Sequence, residues 1–309
     1  MKISIITPHF NDFEGLKKIY NCLNKQSSSS WQWLVIDDFS DKVTRKLVEN
    51  FFQTVSDNQV NLILNTTKTN GSVCRNIGIE HATHERLVFL DSDDIISDDF
   101  VSNRLVQVEE FVVFKNYKIF NKKNEYFSTN TNTSNPLDQF LRANFIWQTT
   151  CVLWNKTFLI QIGKFDPNLE RLQDVELSIR ALFVAKNYKI IDNKVDFFYF
   201  AKPIRLRPNI VCKARDSVNY LILKLHTNYA LNTHQHSFIK AYYYLCVKCL
   251  HRSKKRRDVV YVKESLIMFY KKKYINEFEY FIGITLLIFY QYHMISDSLF
   301  IRVNRYFFK

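Results

Sequence analysis

Two stretches of this 309-residue chain carry side chains whose types and spacing suit chemistry. In Asp91-Ser92-Asp93-Asp94, two carboxylates stand at i and i+2 directly after the apolar run Leu87-Val88-Phe89-Leu90. In an extended segment such side chains share a side, and in a turn they converge on one ion. Hard oxygen ligands suit Mg²⁺ or Mn²⁺, which substrate phosphates and waters commonly complete. An ion held there would neutralise a diphosphate leaving group. A D-x-D pair alone is a weak signal, and its place just past a buried strand is what strengthens it. The second stretch, Gln173-Asp174-Val175-Glu176-Leu177, opens a helical segment whose Leu177, Ala181 and Val184 would face a core. Two acids at that place also suit the positive end of a helix without any chemistry.

The elements that must position these groups read as a parallel sheet with crossover helices. Lys2–Thr7, Gln32–Asp37, Val60–Leu64 and Arg86–Leu90 are apolar runs too short for helices and read as strands. Between them, Asp12–Lys25, Asp41–Val55 and Ser72–His81 read as helices, the first two with Asp caps. The alternation predicts an α/β fold. Each strand is followed by a polar cluster: Pro8-His9-Phe10-Asn11, Asp37-Asp38-Phe39-Ser40-Asp41, Asn65 with Asn70-Gly71-Ser72, and Asp91 to Asp94. Ligands of open parallel sheets bind outside the carboxyl ends of the strands, and four clusters in succession at that edge exceed what turns alone require. The chain has no G-x-G-x-x-G after the first strand and no G-x-x-x-x-G-K-[ST], which argues against a dinucleotide fold of the usual kind and a P-loop NTPase.

Four segments, in order and correctly spaced, resemble the family 2 glycosyltransferases, an inverting group with a GT-A fold. They are Ile5-Ile6-Thr7-Pro8-His9-Phe10-Asn11, Trp33 to Asp41, Asn70-Gly71-Ser72-Val73-Cys74-Arg75-Asn76-Ile77-Gly78 and Phe89 to Asp94. The likeness is strong over about residues 3–100 and moderate over about 145–185. It implies a Rossmann-like mixed sheet flanked by helices and a metal-dependent transfer from a nucleoside-diphosphate sugar, with UDP the expected nucleotide. Pro8 and Phe10 would line the base pocket, and Asp38 would accept a hydrogen bond from the base. Asn70, Gly71, Arg75, Asn76, Asp91 and Ser92 would complete the donor site, with Cys74 standing where the family has Ala. Asp93 and Asp91 would hold Mn²⁺ or Mg²⁺, with Asp94 in reserve because a run of acids leaves the ligand ambiguous by one position. Inverting transfer needs a base for the acceptor hydroxyl. The resemblance assigns it to Asp174, although Gln173 replaces the usual Glu. Glu176 stands in reserve, and Arg180, one turn further on, would hold the acids in place.

Charge divides the chain. The formal net charge is +13, yet residues 1–212 hold 26 basic and 24 acidic side chains while 213–309 hold 17 and 6. The expected domains are therefore 1–212, the transferase domain, and 213–309, a helical, basic, aromatic-rich region. Phe238–Leu250, Val259–Tyr270 and Glu277–Tyr292 read as its helices, punctuated by Arg252-Ser253-Lys254-Lys255-Arg256-Arg257 and Lys271-Lys272-Lys273. Such helices suit an anionic membrane surface or a homodimer contact. No recognisable nucleic-acid module accompanies them, so no nucleic acid is expected. The apolar run Tyr280–Tyr290 is shorter than the roughly 20 residues that span a bilayer. With no signal peptide legible at the start, and six cysteines read as reduced, the expected location is cytoplasmic, peripheral at the inner face of the membrane. Cys246-Val247-Lys248-Cys249 is a lone CxxC and reads as two buried thiols rather than a metal or redox site. Asn121–Asn135, polar and without period, reads as a loop. The expected function is transfer of a hexosyl or N-acetylhexosaminyl unit to a glycan or lipid-linked acceptor in surface polysaccharide synthesis. The alternatives are a nucleotidyltransferase making nucleotide-sugars, which lacks its Gly-rich basic loop here, and a non-catalytic peripheral membrane protein on the same fold.

Overall fold

The computed structural model describes residues 1–55, 58–120, 126–128, 134–200 and 209–309, with side chains of 126–128 excepted. The amino-terminal elements follow the expected alternation: β1 (Ile3–His9), α1 (Phe13–Asn24), β2 (Trp31–Asp37), α2 (Lys42–Thr54), β3 (Val60–Leu64), α3 (Gly71–His81) and β4 (Arg86–Phe89). There follow β5 (Ile95–Ile96), α4 (Phe100–Asn103), β6 (Phe111–Phe114), β7 (Lys118–Phe120), β8 (Tyr126–Ser128) and α5 (Pro136–Leu141). Next are β9 (Val152–Asn155), α6 (Lys156–Gln161), α7 (Gln173–Val184), β10 (Lys189–Ile191) and β11 (Phe197–Phe200). The chain ends in α8 (Ile210–Asn228), α9 (Thr233–Phe238), α10 (Ala241–Ser253), α11 (Val259–Lys271), α12 (Glu277–Gln291) and α13 (Asp297–Phe308).

The main sheet has the order β10-β6-β9-β4-β1-β2-β3, parallel except where β9 runs against β4 and β6. A second sheet has the order β5-β11-β7-β8. Side chains start the crossover helices: Asp12 accepts from Gly15 N–H, Asp41 from Thr44 N–H, and Asn70 from the Ser72 and Val73 N–H groups. Each cap satisfies donors that a helix start leaves orphaned. Gly78 of α3 is a packing requirement, since a Cβ there would lie 2.3 Å from Ile6 of β1. Leu16, Ile19 and Leu23 give α1 its buried stripe.

By internal contacts the chain forms two compact units: Met1–Thr133 with Ile146–Asn168 and Arg180–Lys202, and Ser134–Phe145 with Leu169–Ile179 and Pro203–Lys309. This differs from a single division after 212, because the helical unit also draws on two segments from earlier in the chain. The 121–135 loop reading lies largely outside the described residues, apart from the short strand β8, which a loop does not anticipate. Among the described residues, no helix is long and apolar enough to cross a membrane.

The first unit contains a fully desolvated ion pair. Arg104 bonds Asp196 through two nitrogens at 2.8 and 3.3 Å, lies between the rings of Phe100 and Phe114, and is completely buried. Burial costs each charge heavily, so the pair holds only while both partners are present. Asp196→Ala is expected to lower stability by about 3–5 kcal/mol, read by urea denaturation, with part of the loss recovered in Arg104→Met/Asp196→Ala. A loss under about 1 kcal/mol, the level of a surface pair, would refute the argument.

Candidate donor and metal site

The carboxyl ends of β1, β2 and β3 are tied together by buried polar groups. His9 Nδ1 lies 2.7 Å from Asp37 Oδ1, both side chains wholly buried, and His9 Nε2 accepts from Asp12 N–H at 3.0 Å. With Nε2 used as an acceptor, the proton sits on Nδ1 and is donated to Asp37. Ser40 adds its hydroxyl and N–H to the same carboxylate. Burial opposes the charge on Asp37, but the bonds from His9 and Ser40 outweigh it and hold the carboxyl below its ordinary range. The chain leaves both strands through left-handed residues, Asn11 (φ 52°) and Phe39 (φ 60°). That conformation is uncommon for Phe, and such strain concentrates at ligand sites.

Asp38, expected to meet the base, already has partners in the chain. Lys68 Nζ, the Thr69 hydroxyl, Thr69 N–H at 2.8 Å and Asn65 Nδ2 at 3.4 Å all point at its carboxylate. Burial works against the charge and the bonds from Lys68 and Thr69 overcome it, so this carboxyl too is held low. Lys68 Nζ also sits 4.0 Å from the centre of the Phe10 ring, a cation–π geometry. Phe10 is 47% exposed.

The acidic loop after β4 lies at the same edge. Asp91, Asp93 and Asp94 each offer an oxygen, and the three lie within 4.8 Å of one another. They are not equivalent. Asp91 is bridged by Arg75 at 2.6 Å, and Asp94 is buried and accepts from Phe200 N–H of β11 at 2.9 Å. Asp93 is the one of the three that lines a cavity of 440 Å³, together with Phe10, Asn11, Asp12 and Lys18. An all-carboxylate oxygen set fits a hard divalent cation such as Mg²⁺ or Mn²⁺. Ser92 donates from its hydroxyl to Asp12 at 2.7 Å, and Gly15 permits the contact, since a Cβ there would lie 2.4 Å from the Ser92 carbonyl oxygen.

Other residues expected at the donor site make hydrogen bonds within the chain. Asn70 caps α3 and donates to Pro167 O at 2.7 Å, and Gly71 is the first helical residue after it. The Asn76 amide is engaged at both ends by the backbone of Phe165, at 2.8 and 2.9 Å. Asp166 accepts from Asn168 N–H as a turn residue, and Arg180 donates to the carbonyls of Ile162 and Lys164. The bonds of Asn70 and Asn76 join the 162–168 turn to the start and body of α3, and those of Arg180 join it to α7. Pro8 is the next-to-last residue of β1, paired with Ile36.

Asp174 and Glu176 belong to the helical unit, in the first turn of α7. Glu176, expected as the reserve base, is buried and ion-paired with Lys224 at 2.7 Å. Asp174 is partly exposed. Leu177 and Ala181 are buried as expected, whereas Val184 is 50% exposed and lies off the core face. Sequence reasoning did not assign His9, Lys68 or Thr69. His9 stood within a marked cluster, but Lys68 and Thr69 carried only the signal of lying between the marked Asn65 and Asn70.

Comparison with known proteins bears on this arrangement. AmsB of Erwinia amylovora, an amylovoran biosynthesis glycosyltransferase, is 28% identical over 194 residues, covering 59% of this chain and 64% of that protein. WfgD of Escherichia coli, a UDP-Glc:α-D-GlcNAc-diphosphoundecaprenol β-1,3-glucosyltransferase, is 30% identical over 126 residues, 38% of this chain and 47% of that protein. The chain thus spans less than two thirds of either relative. The crystal structure of Staphylococcus aureus TarS 1-349 with UDP-GlcNAc superposes with a TM-score of 0.61 at 13% identity, covering 99% of this chain and 91% of that one. At that identity the likeness is one of fold, and the fold is the GT-A architecture expected. The profile of glycosyl transferase family 2 matches residues 4–166, the span that holds β1 to α6 and the acidic loop. By that match, the chain belongs to glycosyl transferase family 2.

Proposed function

We propose that the chain transfers a sugar, with inversion, from a nucleoside-diphosphate sugar to a hydroxyl of a glycan or lipid-linked acceptor during surface polysaccharide synthesis. The observation that carries the reading is the carboxylate trio Asp91, Asp93 and Asp94, placed at the sheet edge beside Phe10 and the cavity that Asp93 lines. UDP is the expected nucleotide, supported by the UDP-Glc in the name of WfgD and the UDP-GlcNAc bound to TarS. In this reading Phe10 stacks on the base beside Pro8, and Asp38 meets the base while Lys68 and Thr69 fix its carboxylate. Asp93 and Asp91 hold Mn²⁺ or Mg²⁺, with Arg75 setting the position of Asp91. Such an ion supplies charge neutralisation for the departing diphosphate. Asp174 takes the proton of the acceptor hydroxyl, an assignment that rests on its motif at a helix start.

The helical unit would keep the enzyme peripheral at the inner face of the membrane. Phe278, Phe281, Tyr292 and Tyr306 are exposed, as a surface that enters a lipid interface requires. Not all the basic run is available, because Lys254 and Arg256 both pair with Asp297, at 2.6 and 2.7 Å. Calorimetric titration with UDP-GlcNAc, UDP-glucose and GDP-mannose, with Mn²⁺ or with EDTA, tests the reading. A UDP-sugar should bind at least tenfold more tightly with Mn²⁺, and equal affinity in EDTA for every donor would remove the metal-dependent transferase assignment.

A further inference from the structure

The helical unit encloses a cavity of 200 Å³ whose wall carries three cations, Arg171, Lys248 and Arg252. Lys248 and Arg252 stand one turn apart on α10, on the same face as Leu245 and Cys249. Ala214 and Val218 of α8 line the cavity too, and Arg171 and Leu172 reach it from the segment before α7. Most of the wall is therefore apolar.

Among the described residues none of these three cations makes an ion pair, while cations close by in the same unit do. Arg215 pairs with Glu264, Lys213 with Glu170 and Lys224 with Glu176. The fold supplies counter-charges to its neighbours and withholds them from this cavity. Lys248 is held below its ordinary range, first by burial and then by repulsion from Arg252 and Lys309. Leu172 has φ 61°, a conformation that costs a branched residue energy. Unpaired cations drawn together and a strained backbone persist where a ligand repays them.

We infer that this cavity binds the phosphate or diphosphate head of an apolar-chain lipid. The guanidinium and ammonium groups take the phosphate oxygens, and the apolar wall takes the first carbons of the chain. Hydrated inorganic anions have no use for that wall, and an uncharged chain has none for the cations. At 200 Å³ the cavity is smaller than the roughly 300–1,000 Å³ that bury a whole drug-sized ligand, so the head enters and the rest of the chain stays outside. The inference deepens the proposed function, since a lipid-linked acceptor would bring this chemistry, but the binding needs no transfer to be measured.

The test is calorimetric titration of the full chain with farnesyl diphosphate, farnesol, inorganic pyrophosphate and dihexanoyl phosphatidic acid. Farnesyl diphosphate should bind one saturable site, at least tenfold more weakly in K248Q/R252Q and within threefold of the original in K248R/R252K. Farnesol and pyrophosphate should each bind at least tenfold more weakly than farnesyl diphosphate. Because the glutamines remove repulsion, K248Q/R252Q should melt, without ligand, at or above the temperature of the unaltered protein. Equal farnesyl diphosphate affinity in the original chain and K248Q/R252Q overturns the inference. So does pyrophosphate binding as tight as farnesyl diphosphate, or a lowered melting temperature in K248Q/R252Q, which would make the cations structural. A preference for farnesyl diphosphate over phosphatidic acid assigns an isoprenoid diphosphate, the reverse assigns a membrane phospholipid, and both support the site. UDP-GlcNAc binding, titrated in parallel, should be unchanged in K248Q/R252Q. Its absence from the original chain would sink the donor reading and leave this one standing.

Discussion

Asp93→Ala is expected to abolish the Mn²⁺-dependent part of donor binding and to cut donor turnover roughly 100- to 10,000-fold, the several kcal/mol that a metal contributes to stabilising charge. The size follows from the unequal tasks of the three acids. Asp91 is engaged by Arg75 and Asp94 by the backbone of β11, whereas Asp93 lines the cavity. Removing Asp93 takes an oxygen from the wall of that cavity. Asp94→Ala should behave differently, because it leaves Phe200 N–H without its acceptor and loosens the join between the acidic loop and the second sheet. Calorimetry with a UDP-sugar in Mn²⁺ and in EDTA separates the two. Unchanged affinity in Mn²⁺ for Asp93→Ala would falsify the assignment of this residue to the metal.

What the sequence displayed and what it hid differ in the range of the forces involved. β1 to β4 and α1 to α3 lie within a residue or two of where composition places them, because alternating apolar runs and Asp caps are local signals. The second sheet had no such signal. Its strands are two to four residues long, and Ile96 pairs with Phe197 across a hundred positions. Of the helical region, α11 and α12 were legible from their apolar periods. One expected helix over Phe238–Leu250 begins instead at Ala241, with α9 ending at Phe238. The buried face of α8, Ile210 to Leu225, is interleaved with Lys213, Arg215 and Asp216, which disguise it as solvated chain. At the site, the acidic loop and the strand ends were legible because they carry chemistry in one short stretch each. The partners of Asp38 were not, since Lys68 and Thr69 reach it only through the path of the loop between β3 and α3.

Asp174→Asn should leave donor affinity and folding unchanged and lower sugar transfer by about 10²–10⁴-fold, the usual contribution of a positioned general base. Asparagine keeps the shape and a hydrogen-bonding oxygen, so orientation of an acceptor survives while the proton loses its destination. The position is partly exposed, in the first turn of α7. Glu176, two residues further along α7, has its carboxylate buried and paired with Lys224 of α8. Measuring donor binding beside transfer distinguishes a lost base from a lost donor site. Transfer within threefold of the original protein would return Asp174 to the bland role its place also suits, an acid favoured by the positive end of a helix.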